Sequence, residues 1–504
     1  MEPLPVALGS RGIDLADVVD VARHRRHVVL DDDALGAIEA SAAVLAELAT
    51  RPEPVYGVST GFGSLATTPI PAARRAELQR SLIRSHAAGM GPPVEEEVVR
   101  AMVLLRARTL AMGYSGVRPV VVSTLLAMLN SGIVPRVPEH GSLGASGDLA
   151  PLAHVALALI GEGESADLLA AVGIAPVELT AKEGLALING TDGMLGMLCL
   201  AIADLERLLT TIDITAAMSI EALLGTDRAF AADLMALRPH PGQTASGANL
   251  RRLLAGSGIV ASHRTGDSRV QDAYSLRCSP QVHGAARDTV AHARRVAEIE
   301  LRSVIDNPTV LPDGRVESCG HFHGAPVAYA CDFLAIAAAD VGSIAERRTD
   351  RLLDTKRSAG LPPFLAPDAG VDSGMMIAQY TQAAMVTENR RLATPACVDS
   401  LPTSAMQEDH VSLGWAAARK ARRAIANLTR IVAVELTCAA RALELRAPLR
   451  PAPATAAALG ALRAAGVGGA GPDRWMAPEL AIAEHLVAEG TIVTAVEDQI
   501  GELE

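Results

Sequence analysis

Between Glu408 and Pro448 the chain runs for more than thirty residues in a single helical pattern, "SLGWAAARKARRAIANLTRIVAVELTCAARALELR". Apolar residues recur there at the spacing of an amphipathic α-helix, and no proline interrupts them. Helices of this length gain most of their stability by packing an apolar face against another helix, so they rarely stand alone. The run therefore predicts a bundle of long helices, formed within one subunit or between subunits.

The same periodicity returns in three other segments, which read "GMLGMLCLAIADLERLLTTI", "QVHGAARDTVAHARRVAEIELRSV" and "APVAYACDFLAIAAADVGSIAERRTDRLL". Hydrophobic residues make up 49% of the chain but aromatic residues only 2%, so Ala, Leu and Val must form the core. These features predict a mainly α fold. We expect an N-terminal globular domain with active-site loops over residues 1–110 and a helical-bundle domain over residues 111–504. The Ala/Pro/Gly-rich segment 449–472 is expected to be a loose surface connection.

Charge and composition restrict the partners and the compartment. The net charge of −12 leaves no basic surplus to neutralise phosphates, which argues against a nucleic-acid partner. Six scattered cysteines without a CxxC pair fit a reduced cytosol. The segment "MEPLPVALGSRG" resembles no secretory signal, and the longest apolar stretch, "GMLGMLCLAIA" from Gly193, stops at Asp204, too short to cross a bilayer. We expect a soluble, cytoplasmic protein without a membrane partner.

Several loops between the helices set polar or aromatic residues among glycines. On a rigid helical scaffold such loops are where binding and catalytic residues concentrate. We therefore expect the chemistry in these loops, at residues 56–63, 81–91, 141–151, 188–193, 271–281, 318–324 and 404–410.

The segment "GSLGASGDLAPLAH", residues 141–154, has at its centre the triplet Ala145-Ser146-Gly147, which holds no acid, base or metal ligand. Glycine and alanine let a backbone bend sharply onto itself. The Gly147 nitrogen can then attack the Ala145 carbonyl carbon, and loss of two waters, one with the Ser146 hydroxyl, leaves the electrophile 4-methylidene-imidazol-5-one (MIO). The helix after Asp148 would favour electron density on this ring. The alternative is an ordinary Gly/Ser loop in which Asp148 caps the helix.

The triplet motif resembles the MIO signature of the histidine/phenylalanine/tyrosine ammonia-lyase family. Seven further motifs stand in the order expected of a histidine-type member, and the resemblance spans nearly the whole chain. The long extra segments of plant phenylalanine enzymes are absent. The seven are "YGVSTGFG" (56–63), "SHAAGMG" (85–91), "GLALINGTDGMLG" (184–196), "QDAYSLRCSPQ" (271–281), "DNPTVLPDGRVES" (306–318), "FHG" (322–324) and "SAMQEDHVSLG" (404–414).

This resemblance implies a carbon–nitrogen lyase that eliminates ammonia from L-histidine and leaves trans-urocanate, a step of histidine degradation. The substrate β-hydrogen is weakly acidic and the α-amino group leaves poorly, so the reaction needs an electrophile and a placed base. By resemblance, Tyr56 is the base or proton shuttle near the β-carbon. Tyr274 matches the second essential tyrosine of the family, and Glu408 can share the base role.

Two places favour histidine as the substrate. At Ser85-His86, phenylalanine-selective relatives tend to carry Phe-Leu and tyrosine-selective ones His-Leu, whereas a polar pair suits an imidazole that both donates and accepts hydrogen bonds. Glu408 stands where phenylalanine enzymes typically carry Gln, and a carboxylate can hold an imidazole N–H.

The resemblance also implies four further substrate contacts. Arg277 would clamp the substrate carboxylate with its bidentate guanidinium. Asn189 would hydrogen-bond the substrate or the MIO ring, Gln271 would add a polar contact, and Phe322 would form an apolar wall beside the substrate ring.

The chain departs from the family pattern at three positions: His321 replaces Asn beside Phe322, Ser59 replaces Asn or Thr, and Asp192 replaces Gln. His321 is titratable and can alter the pocket. The run from Cys319 to His323 alternates metal-capable side chains but lacks a fourth ligand at a recognisable spacing. We therefore expect no metal. We expect no nucleotide either, since the sequence contains no phosphate-binding loop.

The family resemblance further implies a homotetramer whose active sites are shared between subunits, with Tyr274, Arg277 and Glu408 coming from chains other than the one that carries the MIO. One alternative is a phenylalanine or tyrosine ammonia-lyase or a 2,3-aminomutase. A second is a non-catalytic helical scaffold in which the triplet never cyclises.

Overall fold

The structure, a computed structural model, describes residues 4–51, 54–267 and 269–504. Within these ranges the chain forms twenty α-helices and six short strands, so the prediction of a mainly α fold with long helices is confirmed. The helices are α1 (Leu15–Arg23), α2 (Asp32–Leu48), α3 (Arg75–His86), α4 (Glu96–Ala111), α5 (Pro119–Asn130), α6 (Leu149–Leu159), α7 (Ala166–Ala171), α8 (Glu183–Ile188), α9 (Asp192–Ala222), α10 (Ala232–Ala236), α11 (Pro241–Leu253), α12 (Gly258–Ala261), α13 (Tyr274–Arg277), α14 (Ser279–Glu300), α15 (Ala325–Leu353), α16 (Met376–Leu392), α17 (Gly414–Glu444), α18 (Pro453–Ala464), α19 (Ala477–Glu489) and α20 (Thr491–Ile500).

The strands form three separate two-stranded pairs. β1 and β2 are parallel, with Val6 opposite Val28, whereas the other two pairs are antiparallel. The strands are β1 (Val6–Leu8), β2 (Val28–Leu30), β3 (Met90–Pro93), β4 (Pro138–His140), β5 (Thr309–Val310) and β6 (Val316–Glu317).

The chain divides into two compact units, each built from separated segments. Unit 1 comprises residues 1–200, 293–332 and 395–419, and unit 2 comprises residues 201–292, 333–394 and 420–504. The domain boundary that we predict near residue 110 falls at the end of α4 and stays a prediction.

Unit 1 is built around α4, which packs against α1, α2 and α5, while α3, α6 and α8 pack on one another. From Val98 to Ala111 every residue of α4 is buried, including Arg100, Arg106 and Arg108. Arg100 donates to the carbonyl oxygens of Val21 and Leu129, which compensates for its burial. The predicted loops 81–91, 141–151 and 188–193 overlap or adjoin α3, α6 and α8 in the chain.

Unit 2 joins its helices through buried polar side chains as well as apolar ones. Arg348 of α15 binds Glu435 of α17 through Nε at 2.5 Å and Nη2 at 3.0 Å, and both side chains are fully buried. His283 of α14 lies 2.8 Å from Asp213 of α9. Burial alone would raise the pKa of Asp213, but the bonds from His283, Arg287 and Ser246 outweigh it and lower the pKa to about 2.

Local signals explain where several helices begin and end. The Asp14 side chain accepts the Asp17 N–H at 2.8 Å and Asp17 accepts the Asp14 N–H at 3.2 Å, a reciprocal cap that starts α1. Proline occupies the first turn of α5, α11, α18 and α19, where its missing N–H costs nothing. Gly490, with φ of 77°, ends α19.

Two expectations about the helices are wrong. The segment 449–472 contains α18, whose residues Ala454, Thr455, Ala458 and Leu462 are buried, because its alanines supply high helix propensity and a small packing face. The apolar stretch from Gly193, expected to stop at Asp204 and to be too short to cross a bilayer, is part of α9, which continues to Ala222.

As a result, two helical stretches reach membrane-spanning length and apolarity, Glu183–Ala222 and Ala325–Leu353. The most apolar window of the first is 100% buried inside the protein and that of the second 67% buried. Helices that are apolar on most sides and buried are also typical of protein cores.

Candidate active site

The triplet Ala145-Ser146-Gly147 lies just before α6 and is packed tightly against a second backbone segment. Gly147 has φ of 77°, and a Cβ there would overlap the carbonyl oxygen of Gly190 and lie 2.8 Å from its nitrogen. The Asp148 N–H donates to the same Gly190 oxygen at 2.7 Å. Only glycine fits at position 147, because both the left-handed backbone and the close approach exclude a side chain.

The carboxylate of Asp148 points away from the helix that it precedes. It accepts the Met194 N–H at 2.9 Å and the Ser142 hydroxyl at 2.8 Å, and in the described structure it makes no capping bond to α6. One part of the ordinary-loop alternative, that the Asp148 side chain caps its own helix, is therefore wrong, because Asp148 occupies the N-cap position of α6 but its carboxylate is used at the start of α9. Burial raises the pKa of Asp148 to about 7, although these two hydrogen bonds lower it.

The surroundings of the triplet fit an MIO ring. Asn189 is 2% exposed, and its Nδ2 donates to the carbonyl oxygen of Asn307 at 2.7 Å. Its Oδ1 is buried with no hydrogen-bond partner among the residues that the structure describes. A buried amide oxygen left in this way is costly, so it marks a place where a further polar group is expected.

A cavity of about 750 Å³ opens beside the triplet in unit 1. The cavity is large enough for an amino acid, and it combines apolar walls with a few polar side chains, as small-molecule sites do. It brings together seven of the predicted site residues, namely Tyr56, Ser85, His86, Ser146, Asn189, Phe322 and Glu408.

Tyr56 lies at the start of the loop that covers one side of this cavity. Its hydroxyl oxygen accepts the Gly63 N–H at 3.3 Å, which leaves the phenolic proton free for another acceptor. Gly63 has φ of 53°, a left-handed backbone that favours glycine, and a Cβ there would lie 2.6 Å from Ser404 Oγ, where the two loops meet. Phe62 packs edge-on against the Tyr56 ring at 6.4 Å between centroids.

Ser85 and His86 lie in the last turn of α3, so this part of the predicted loop 81–91 is helical instead. His86 Nδ1 lies 2.9 Å from the Leu82 carbonyl oxygen and 3.0 Å from Ser85 Oγ. Because a carbonyl oxygen can only accept, we assign the proton to Nδ1, which makes Nε2 an acceptor. Burial lowers the pKa of His86, which favours this neutral form, while the Leu82 bond and Glu408 raise it. The Ser85 hydroxyl also donates to Leu82, at 3.0 Å.

Glu408 lines the same cavity as Ser146 within one chain. The expectation that Glu408 comes from another subunit is therefore corrected: its loop, residues 404–410, folds back against the loop of Tyr56 in unit 1. Thr403 fixes the carboxylate by donating its hydroxyl to Oε2 at 2.9 Å, and its backbone N–H donates to the Glu408 carbonyl oxygen at 2.8 Å.

Gln271, Tyr274 and Arg277 lie in unit 2 and do not line this cavity. They form a cluster of their own, in which the Arg277 guanidinium stands 4.8 Å from the centroid of the Tyr274 ring and donates to Gln271 Oε1. Tyr274 is 71% exposed, so its ring is presented on the surface of the chain.

The family model for aromatic amino acid lyases matches residues 13–464. The chain belongs to the aromatic amino acid lyase family. A histidine ammonia-lyase of Streptomyces avermitilis is 62% identical, with 99% of each chain covered. The structure is also similar to tyrosine aminomutase from Streptomyces globisporus, at 38% identity and a TM-score of 0.93 over 99% of this chain and 100% of that one. Histidine ammonia-lyase from Trypanosoma cruzi gives 36% identity and a TM-score of 0.90, over 99% and 96%.

In this aromatic amino acid lyase the run from Cys319 to His323 alternates side chains that can bind a metal. His321 is exposed, and the His323 ring stacks on that of His410 at 5.9 Å between centroids. In residues 4–51, 54–267 and 269–504, no group of three or more His, Cys, Asp or Glu side chains could hold a metal ion.

Asn307 and Cys319 are polar residues of the cavity that are not among the predicted site residues. Asn307 accepts the Cys319 N–H at 2.8 Å through Oδ1, besides accepting from Asn189 at its carbonyl oxygen, and both Asn307 and Cys319 line the cavity. The motif "DNPTVLPDGRVES" contained Asn307, and a polar residue inside a motif of that kind was a usable signal.

Proposed function

We propose that this aromatic amino acid lyase is a histidine ammonia-lyase, which removes ammonia from L-histidine and leaves trans-urocanate. One observation carries the proposal: a single cavity joins Ser146 of the triplet to Tyr56, His86 and Glu408. An electrophile precursor, a proton-transfer group and two polar groups for an imidazole therefore share one space. The relative from Streptomyces avermitilis, named histidine ammonia-lyase, supports the same substrate.

The proposed prosthetic group is MIO, formed from Ala145, Ser146 and Gly147 without a metal or a nucleotide. Asn189 Oδ1 and the N-terminal end of α6 would hold it. When present, such a group supplies an electrophile for the substrate amine, which no coded side chain offers.

The side chains of the cavity have distinct proposed tasks. His86 Nε2, an acceptor, receives the N–H of the substrate imidazole, and Glu408 holds its other edge or carries a proton. Tyr56 moves the β-proton, because its O–H is not used by the bond from Gly63. Phe322 supplies an apolar wall that restricts the ring of the substrate.

The substrate carboxylate needs a cation, and Arg277 is the proposed one. The cluster of Gln271, Tyr274 and Arg277 would reach the cavity from another subunit, in a homotetramer with shared active sites. The exposed ring of Tyr274 is consistent with a partner there. We also propose that the protein is soluble and cytoplasmic.

The test is to incubate the purified protein with L-histidine, L-phenylalanine and L-tyrosine and to follow the ultraviolet absorbance of urocanate, cinnamate and coumarate. We expect urocanate alone. Cinnamate or coumarate would favour a phenylalanine or tyrosine lyase, and a β-amino acid product would favour the 2,3-aminomutase alternative, to which the tyrosine aminomutase likeness gives weight. Ser146→Ala is the inactive control. A wild-type protein that retains its full coded mass and makes no product would support the scaffold alternative.

A further inference from the structure

Gly190 is confined on both sides. On one side its carbonyl oxygen meets Gly147 and accepts the Asp148 N–H at 2.7 Å. On the other side, a Cβ on Gly190 would overlap Arg106 Nη1 and Asp192 Oδ2 and lie 3.0 Å from Arg106 Cζ. The Gly190 peptide is therefore a thin layer between the triplet and two charged side chains.

Those two side chains form an ion pair, with Arg106 Nη1 3.3 Å from Asp192 Oδ2 and each side chain 1% exposed. Arg106 Nη2 also donates to the Ile305 carbonyl oxygen at 2.8 Å, a bond that orients the guanidinium. In the described structure Arg106 Nε and Nη1 and Asp192 Oδ2 make no hydrogen bond. A buried pair satisfied so incompletely is a poor source of stability compared with apolar side chains of similar volume.

We propose that the Arg106–Asp192 pair is a rigid support that holds the Gly190 peptide against Gly147 and thereby drives the condensation of the triplet. Arg106, Asp192 and Gly190 are then positioning residues for maturation of the prosthetic group, and they touch no substrate. The inference rests on the proposed function in one respect, namely that Ala145, Ser146 and Gly147 condense to the MIO group.

The condensation itself needs no oxidant, reductant or other reactant. The Gly147 nitrogen bonds to the Ala145 carbonyl carbon, and that oxygen leaves as water with the amide protons of Gly147 and Ser146 as a C=N bond forms. The Ser146 hydroxyl and the Ser146 α-hydrogen leave as the second water. Intramolecular reactions of this kind depend on how well the reacting atoms are held, because a misplacement of about 1 Å can cost about 10²-fold in rate.

The decisive variant is the double change Arg106→Met with Asp192→Leu, which replaces the pair by apolar side chains. The full-length chain is made in a pulse, and its intact mass is followed until two waters are lost. We expect the double variant to fold with thermal stability close to that of Ser146→Ala, a chain that cannot mature, and to lose the waters at a rate lower by about tenfold or more. A purely structural role for the pair predicts maturation at the wild-type rate in the folded variant, and that result would overturn the proposal.

Gly190→Ala is the second variant, because its methyl group would intrude between the triplet and the pair. We expect a folded chain that keeps its full coded mass. Gly36→Ala is the matched control, since a Cβ at Gly36 meets nothing within 4 Å, and it should mature as the wild type does. A folded Gly190→Ala chain that loses both waters at the wild-type rate also counts against the proposal. If neither variant folds, the third variant is Asp192→Asn, which keeps the shape of the side chain but removes its charge. Loss of the two waters more slowly than in the wild type supports the proposal, and loss at the wild-type rate overturns it.

The outcomes separate this inference from the proposed function. A wild-type chain that never loses two waters refutes the prosthetic group. A wild-type chain that loses them but makes no urocanate refutes the substrate and leaves the inference standing.

Discussion

The phenolic oxygen of Tyr56 accepts the backbone N–H of Gly63 at 3.3 Å. This bond fixes the ring at the wall of the cavity while the hydroxyl proton stays available. Glycine at position 63 favours this relationship, because the backbone there is left-handed, with φ of 53°.

Tyr56→Phe removes the hydroxyl and keeps the ring. We expect kcat with L-histidine to fall by about 10²- to 10⁴-fold, the usual contribution of general acid–base catalysis, while KM changes little. Steady-state kinetics give both constants, and the intact mass should still show the loss of two waters. A variant with wild-type kcat would remove Tyr56 from proton transfer.

His86→Leu removes the acceptor Nε2 that we assign to the substrate imidazole. Losing one such hydrogen bond costs about 1 kcal/mol, so KM for histidine should rise about fivefold, more if the imidazole N–H is left unpaired. The ratio of kcat/KM for histidine to that for phenylalanine should fall. An unchanged ratio would show that position 86 does not select the substrate ring. Ser85→Ala changes the other member of the pair, whose hydroxyl lies 3.0 Å from both the Leu82 oxygen and His86 Nδ1, and it leaves the His86 Nε2 acceptor in place.

A shared active site predicts rescue between two inactive chains. Ser146→Ala lacks the electrophile precursor, and Arg277→Met lacks the carboxylate clamp, so each alone should form little urocanate. Co-expression should restore activity, to about a quarter of the wild-type value if subunits mix at random, because each site then combines the two intact parts by chance. Separately purified and mixed proteins are the control. The absence of rescue in verified hybrid oligomers would place Arg277 in the cavity of its own chain or outside catalysis.

Asp148 predicts a pH-dependent stability. Its pKa is about 7 in the folded chain against an ordinary value of 3.8, so between those values the native state binds a proton that the unfolded chain has released. The free energy of unfolding should therefore fall as pH rises towards about 7 and then level off, with a slope of at most about 1.4 kcal/mol per pH unit.

To isolate this effect, Asp148→Asn is compared with its parent, both in the Ser146→Ala background so that the triplet is chemically the same. Urea unfolding gives the free energy of unfolding of both chains from about pH 5 to about pH 8. The value for the Asn chain minus that for its parent should rise with pH until about pH 7 and then stay constant. Parallel curves across the range would mean that Asp148 is already ionised at low pH.

Much of the fold could be predicted because helix formation leaves a local pattern. The periodic runs became α9, α14, α15 and α17, and the mainly α class follows from them. The prolines and glycines of segment 449–472 predict a loose connection, but Pro453 occupies the first turn of α18, where its missing N–H costs nothing, and Gly460 is the one glycine inside that helix. Burial of Ala458 and Leu462 stabilises α18. Ser85 and His86 fall in the predicted loop 81–91 but lie in α3, because the end of a helix is set by a few weak local preferences that a sequence pattern does not fix.

The sequence by itself determined which residue types are available and in what order: a triplet able to condense, two tyrosines in distinct motifs, a polar pair at positions 85 and 86, and a carboxylate at position 408. Only the tertiary structure decided that Glu408 shares a cavity with Ser146, that Tyr274 and Arg277 do not, and that Asp148 serves α9 rather than α6. The physical reason is that these relations join residues far apart in the chain. They depend on how helices and loops pack in three dimensions, which no local periodicity encodes.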